Sequence, residues 1–408
     1  MLKKVILIGI FILAFPTFLY SGEIKYNGVC RVRAFDWSNN NLRSDTLFNS
    51  TYFDQRIRIG MDFVFNKSLK VITRFDVLEG TWRAPSFDSP DFDVAYISVT
   101  KKLGHLGLFN LRAGYVPFGS FGTSFGNTVD EASYPAIELF LFKGKNTFLI
   151  IPEVKITEND SDFAVEKGDC DAFVGLWIGK YSNFQTGIYI LYLKNDAYIP
   201  DFTYNKYGAT YYIKGKFGNI NYEAEAGYNG GLKDYSDTTL TDSKLKEMGA
   251  YFKSSYAIGK NSVGLLAAYT SGDDPSTVDD EGYDANIDFQ PCRILFNRYT
   301  GSIGSYATTT KTMQNAYLGQ MFFDFSLPNN FKASLSVSYA MADKVPSSYI
   351  SKKIGTEIDG SISYSLMKNM DFSLFGGYLI PGDFYKGTST TNRVDPTYLI
   401  GTELIAKF

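Results

Sequence analysis

From Ile24 to the C-terminus, apolar residues recur at every second position rather than every third or fourth, and that period commits the chain to strands. Phe53, Ile57, Ile59, Met61 and Phe63 alternate with Asp54, Arg56, Arg58, Gly60 and Asp62. Phe331, Ala333, Leu335, Val337 and Tyr339 alternate with Lys332, Ser334, Ser336 and Ser338 in the same way. The pattern predicts strands near 24–37, 51–64, 68–80, 91–101, 106–117, 134–142, 146–158, 170–181, 183–194, 203–216, 219–229, 244–258, 261–271, 311–326, 330–342, 350–366, 369–380 and 396–408. That is eighteen strands, with sixteen as the alternative, since the sixth has the weakest pattern.

The connections narrow the choice of architecture. Short turns at Asn66, Lys143, Gly218, Gly259, Asn329 and Lys368 alternate with long polar stretches at 38–50, 81–90, 118–133, 159–169, 230–243, 272–310 and 381–395. A soluble sandwich has no reason to alternate short and long connections in strict order. A transmembrane antiparallel β-barrel does, with short periplasmic turns and long extracellular loops. About 12 residues tilted near 40° cover the ~25 Å apolar band of such a barrel. A soluble core rarely needs 30 Tyr and 34 Phe, whereas aromatic girdles at two lipid interfaces do. An open sheet edge in lipid would leave backbone groups unpaired, so the last strand is expected to close on the first. That last strand ends in Phe408, in step with Ala406, Leu404 and Ile400; a terminal aromatic of this kind resembles the signal read by the barrel-assembly machinery.

The N-terminus fits export. Lys3 and Lys4 precede an apolar run from Val5 to about Tyr20, followed by Ser21 and Gly22, which is the layout of a signal peptide over residues 1–22. The barrel then occupies 23–408 as a single domain, in the outer membrane of a bacterium, as a monomer. No later stretch reaches the roughly 18 unbroken apolar residues of a spanning helix, and the mean hydropathy of −0.12 is too polar for a helical membrane protein.

Composition excludes several functions. A net charge of −3 gives no basic surface for nucleic acid. The three cysteines, Cys30, Cys170 and Cys292, are too far apart in sequence for a zinc or redox motif, and one histidine cannot form an imidazole metal cluster. Barrel hydrolases need a positioned imidazole, and His105 falls in a predicted turn, so no enzyme and no cofactor is expected.

If the apolar faces meet lipid, the opposite faces line the lumen. Arg31, Arg33, Arg56, Arg58, Arg74 and Arg112 then point inward near mid-strand, where an arginine facing lipid would cost about 2–4 kcal/mol. Phe53, Ile57, Phe63, Leu335, Val337 and Ile358 face lipid in this register. Asp54, Asp76 and Asp93 share the arginine wall, and Glu153, Glu223, Glu225, Glu357, Asp359 and Glu403 add carboxylates elsewhere. Such a lumen, with separated charge of both signs, passes polar or anionic solutes; the same residues also serve as ion-pair struts. Six arginines on neighbouring strands predict a positive wall and a preference for anions.

Two loops stand out. The stretch 118–133 carries Phe118, Phe121 and Phe125 separated by glycines, and either narrows the pore or packs over the rim. The stretch 272–310 opens with Asp273, Asp274, Asp279, Asp280 and Glu281; it lacks an EF-hand pattern and reads as a solvated outer loop rather than a Ca²⁺ site.

Several pieces resemble the alginate export family of outer-membrane barrels. They are YFDQRIRIG at 52–60, TRFDV at 73–77, YTSGDD at 269–274, IGTEID at 354–359, Gly377-Tyr378, PGDF at 381–384 and GTE at 401–403. The resemblance implies an eighteen-stranded monomeric barrel carrying an acidic polysaccharide, with Arg56, Arg58 and Arg74 on the polymer path. This chain departs from the pattern in being acidic overall, with its arginines concentrated on the first five strands. The alternative is a general diffusion porin for small hydrophilic solutes. A barrel with a plugged lumen would have a purely structural role.

Overall fold

The structure is a computed structural model that describes residues 22–408 apart from 44, 46–48, 83–89, 118–120, 127–132, 158–169, 200–201, 236–238 and 240, and without the side chains of 153, 155–157 and 196–199. The expected signal peptide lies outside the described residues.

The strands follow one another as β1 (Glu23–Ser38), β2 (Ser50–Val64), β3 (Leu69–Thr81), β4 (Asp91–Lys102), β5 (Leu108–Pro117), β6 (Ser133–Lys143), β7 (Asn146–Thr157), β8 (Cys170–Lys180), β9 (Phe184–Ile199) and β10 (Phe202–Phe217). They continue as β11 (Ile220–Tyr235), β12 (Ser243–Ile258), β13 (Asn261–Thr270), β14 (Ile303–Gly304), β15 (Thr308–Thr309), β16 (Ala316–Ser326), β17 (Phe331–Ala342), β18 (Lys353–Met367), β19 (Met370–Pro381) and β20 (Thr397–Lys407). Each pairs antiparallel with its neighbour in sequence, except that β14 and β15 form a small hairpin of their own and β13 pairs with β16. β20 pairs with β1 from Val29–Lys407 to Ser38–Tyr398, which closes an eighteen-stranded transmembrane barrel.

Local chemistry accounts for the hairpins at the end where β1 begins and β20 finishes. Gly144, Gly218 and Gly259 open two-residue turns with φ near +60°, and Asn329 and Asn330 have φ of +56° and +63°. These left-handed conformations match the twist of the flanking strands. Closure has its own steric requirement: the Phe408 ring lies where a side chain at Gly28 would sit, and the two residues exchange backbone hydrogen bonds of 2.9 and 3.1 Å.

The opposite end carries the longer connections, with one departure from strict alternation. β9 and β10 run for 16 residues each, and only residues 200–201 separate them, because both strands continue where a loop was expected. The outward face is apolar: Phe53, Leu335, Val337 and Ile358 are 41–44% exposed, and Ile57 and Phe63 share that face of β2. Tyr115, Tyr192, Tyr228, Tyr317, Tyr339 and Tyr398 are exposed among them, which accounts for the aromatic excess as a lipid-interface belt. Among the described residues no helix is long and apolar enough to cross a membrane.

Candidate functional site: a lumen narrowed by two infolded loops

The arginine wall is present, but its charge is largely neutralised. Arg33 grips Asp54 through two bonds of 2.6 and 2.9 Å, and Arg58 grips Asp76 at 2.7 and 2.8 Å. Asp93 takes Arg58 at 3.2 Å and Arg74 at 2.8 Å, Arg56 pairs with Glu79, and Arg112 reaches Glu138 at 3.4 Å. Planar guanidiniums facing carboxylates in this way form a ladder of charge-assisted bonds. The expected positive wall is therefore corrected to a ladder of paired charges. Arg31 differs: it is half-buried beside Arg33, its Nε has no hydrogen-bond partner, and its guanidinium lies 5.9 Å from the Tyr299 ring.

Glu79 was missed by simple alternation because of a bulge, whereas Glu138 lies on the inner face of β6 in unbroken alternation with Ala136, opposite Arg112. Ile57 pairs with Leu78 and Arg58 with Asp76, so Val77 is an extra residue and the following side chains of β3 change face. A second irregularity between Arg74 and Phe75 leaves Asp93 unmatched on β4, beside the buried Val94. A third, opposite Glu138, lies on β7, where Ile151 and Pro152 face one residue of β6, so the facing of Glu138 itself is unchanged. Bulged positions break period 2 without any residue-level signal.

Two loops fold into the barrel. Of the connection after β5, residues 121–126 are described; the expected third aromatic, Phe118, lies outside them. Phe121 is buried edge-on against Tyr212 at 4.7 Å and beside Tyr189 at 5.6 Å, both from the inner wall. The Thr123 N–H donates to the Glu225 carboxylate of β11, and Lys214 donates to the Gly122 carbonyl at 2.8 Å. Gly122 has φ of +77°, and a Cβ on Gly126 would lie 1.8 Å from Glu225 Oε1, so only glycine lets the loop come this close.

The connection from 271 to 315 does the same from the other side, which corrects the expectation of a solvated outer loop. Its Tyr283, Phe289, Ile294, Leu295, Phe296, Ile303 and Met313 are buried in one cluster with Phe35 and Trp37 of β1 and Leu399 of β20. Burying this much apolar side chain, at roughly 1.5–3 kcal/mol for each large residue, drives the loop inward. Polar anchors fix its position. The fully buried Glu357 of β18 accepts the N–H groups of Arg293 (2.8 Å), Ile294 (2.6 Å) and Leu295 (2.8 Å). Gln320 donates to the Pro291 carbonyl at 2.6 Å, Tyr52 donates to the Tyr299 carbonyl at 3.0 Å, and Arg33 stacks 3.7 Å over the Tyr299 ring. The acidic start of this loop is held by lysines: Asp274 pairs with Lys344 at 2.7 Å, Asp279 with Lys246, and Asp280 with Lys233 at 3.8 Å. The hydrogen bond from Lys344 holds the Asp274 carboxyl well below its usual range.

The two loops meet. Phe125 lies parallel to Tyr251 and Tyr283 at 5.6 and 6.0 Å and edge-on to Phe289 at 5.1 Å, and the Asn286 N–H donates to the Phe125 carbonyl at 2.8 Å. Spaces lie between the loops and the wall. One, of about 210 Å³, lies between Arg33, Arg293, Tyr299, Ser363, Phe375 and Glu403. Another, of about 280 Å³, is bounded by Tyr134, Leu191, Leu193, Lys206 and Asp284. Burial, aided by the nearby Glu247, pushes the Asp284 carboxyl up to about 6. Of the carboxylates expected inside, Glu225, Glu357 and Asp359 are buried against loops, Glu223 bonds Tyr251, Glu403 faces the first space, and the Glu153 side chain lies outside the described residues.

No protein-family model matches the chain and no curated protein sequence does, so the resemblance to the alginate export family gains no support. Solved structures do match in fold. OccK9 (OpdG) of Pseudomonas aeruginosa superposes with a TM-score of 0.58 at 11% identity, over 96% of this chain and 99% of that one. OpdK of the same organism, solved with vanillate, gives 0.57 at 11% identity, over 95% and 98%. OccK5 (OpdH) gives 0.56 at 9% identity, over 94% and 98%. At such identities the likeness shows a shared barrel fold.

Proposed function

We propose that the chain is a passive channel of the bacterial outer membrane for small polar solutes, neutral or carboxylate-bearing. The observation that carries this reading is an apolar, lipid-facing exterior around a charged interior into which two loops fold. The short turns face the periplasm and the loops the outside, as in other outer-membrane barrels. Passage of an acidic polysaccharide is the weaker reading. Arg56, Arg58 and Arg74, which it would place on the polymer path, already hold Glu79, Asp76 and Asp93. The charged groups of the lumen act first as struts and set a mixed, nearly balanced field for small solutes. OpdK was solved with vanillate, an aromatic carboxylate, so vanillate is a suitable probe alongside neutral sugars.

Proteoliposome swelling tests the proposal. Arabinose, glycine and vanillate should enter at rates that fall steeply with solute size, and uronic acid oligomers should be excluded. Equal passage of oligomers and monomers, or passage of none, would overturn it.

A further inference from the structure

We propose that Cys292, Glu357 and Asp359 form a divalent-cation site of the zinc type, which staples the infolded β13–β16 connection to the β18 wall. Cys292 comes from the loop, and the two carboxylates come from alternate, inward-facing positions of β18. The Cys292 Sγ and one oxygen of each carboxylate lie within 4.8 Å of one another, the one such group of ligating side chains among the described residues. All three are buried, at 3%, 0% and 6% exposure.

A second observation points to a missing cation. Asp359 Oδ1 is buried with no N–H or O–H donor in hydrogen-bond reach, while the rest of the carboxyl meets a 3.5 Å bond from Ser336, the Arg293 backbone and the neighbouring Glu357 carboxyl. A buried carboxylate oxygen without a partner is costly, and the surrounding polar groups are committed elsewhere. Gln320, for example, bonds Pro291 and Ser338. Glu357 Oε1 takes two backbone N–H groups and Oε2 takes one, so the carboxyl is fixed in orientation with its remaining acceptor capacity turned toward Asp359.

Charge and geometry agree with this. Two carboxylates and a thiolate, set against the Arg293 guanidinium, leave two negative charges, which one divalent ion cancels. Tetrahedral zinc, with bonds of about 2.3 Å to sulfur and about 2.0 Å to oxygen, holds such atoms about 3.5 Å apart. Side-chain rotations that close the group by about 1 Å reach that spacing. One sulfur with two oxygens suits a borderline-soft ion better than Ca²⁺ or Mg²⁺. A space of about 270 Å³, lined by Gln290, Cys292, Arg293, Gln320 and Asp359, adjoins the site and leaves room for a water as fourth ligand. Binding forms the metal–sulfur bond with release of the thiol proton.

The test uses the full chain in detergent, stripped of metal. Titration with Cd²⁺ should give a thiolate-to-metal ultraviolet band that saturates at one ion per chain. Zn²⁺ should displace the Cd²⁺ and protect Cys292, but not Cys30, from a small thiol reagent. Cys292→Ser should abolish the band, and Asp359→Asn should weaken Zn²⁺ about tenfold with the band retained. If Cys292→Ser fails to fold, the protection experiment on the unaltered chain decides alone. Absence of the band, or a single Zn²⁺ bound equally well by the unaltered chain and by the Cys292→Ser/Asp359→Asn double variant, would overturn the site. So would refusal of metal at every pH, which would mean that the two carboxylates share a proton instead.

Discussion

Replacing Arg56, Arg58 and Arg74 together by Gln should turn a weakly selective lumen into a cation-selective one. In the structure these three guanidiniums are matched by Glu79, Asp76 and Asp93, so the cluster is close to neutral. The substitution leaves three carboxylates uncompensated. A unit charge about 8 Å from a permeating ion in water contributes about 0.5 kcal/mol. Screening at 0.1 M salt roughly halves that, so three charges give about 0.7 kcal/mol. Cations gain this energy and anions lose it, so the permeability ratio moves by about 1.4 kcal/mol, or about tenfold. At 1 M salt the Debye length drops to about 3 Å and the shift should fall below about twofold. Reversal potentials in planar bilayers under a KCl gradient read the ratio directly. Far-ultraviolet circular dichroism of the same preparation shows whether the barrel is intact. A strongly anion-selective wild type that the substitution merely brings to neutrality would refute the paired ladder. So would a reversal potential that does not move.

Three further outcomes follow from the loop anchors. Glu357→Ala removes the acceptor of three backbone N–H groups and should free the β13–β16 connection, raising single-channel conductance and adding open-state noise. Gly126→Val should expel the β5–β6 connection, because its side chain would occupy the position of the Glu225 carboxylate; a widened pore with unchanged β content is expected in conductance and circular dichroism. Asp284, raised to about 6 chiefly by burial, is neutral below that pH and charged above it, with Glu247 and Asp280 adding to the effect and Lys206 opposing it. Cation preference should therefore rise between pH 5 and pH 7 and flatten in Asp284→Asn. The sign for stability is the reverse: a carboxyl raised in the folded state favours the fold most below its ordinary value near 3.8, and that contribution is lost as pH climbs through 6. Melting of the unaltered chain at pH 5 and pH 7, compared with Asp284→Asn, measures it.

The barrel was legible because period 2 is a strong and repeated signal. All eighteen expected strands occur, most ends lie within a few residues of the expected positions, and the Asn- and Gly-bearing turns fall where turn chemistry placed them. The charge partners were half legible. Asp54, Asp76 and Asp93 were expected on the arginine wall, but Glu79 was hidden by a bulge that changes which face a residue takes, and Glu138 sat on the strand with the weakest pattern. The loops were the least legible part. Acidic residues at the start of the 271–315 connection suggested solvent, yet Phe289 and the run Ile294-Leu295-Phe296 sit within the same stretch. That apolar run was the signal for infolding. What it packs against, Phe35 and Leu399, lies hundreds of positions away or on the other side of the chain's closure, and no local pattern encodes such a pairing.

On the proposed reading, two infolded loops set the bore of this eighteen-stranded barrel. Single-channel recording in planar bilayers, comparing the unaltered chain with one in which residues 286–312 are replaced by a short glycine–serine bridge, tests it most directly. The unaltered chain should show discrete, small conductance steps, and the shortened one a several-fold larger conductance. Equal conductance in the two, or a silent unaltered chain that stays silent when the loop is removed, would contradict it.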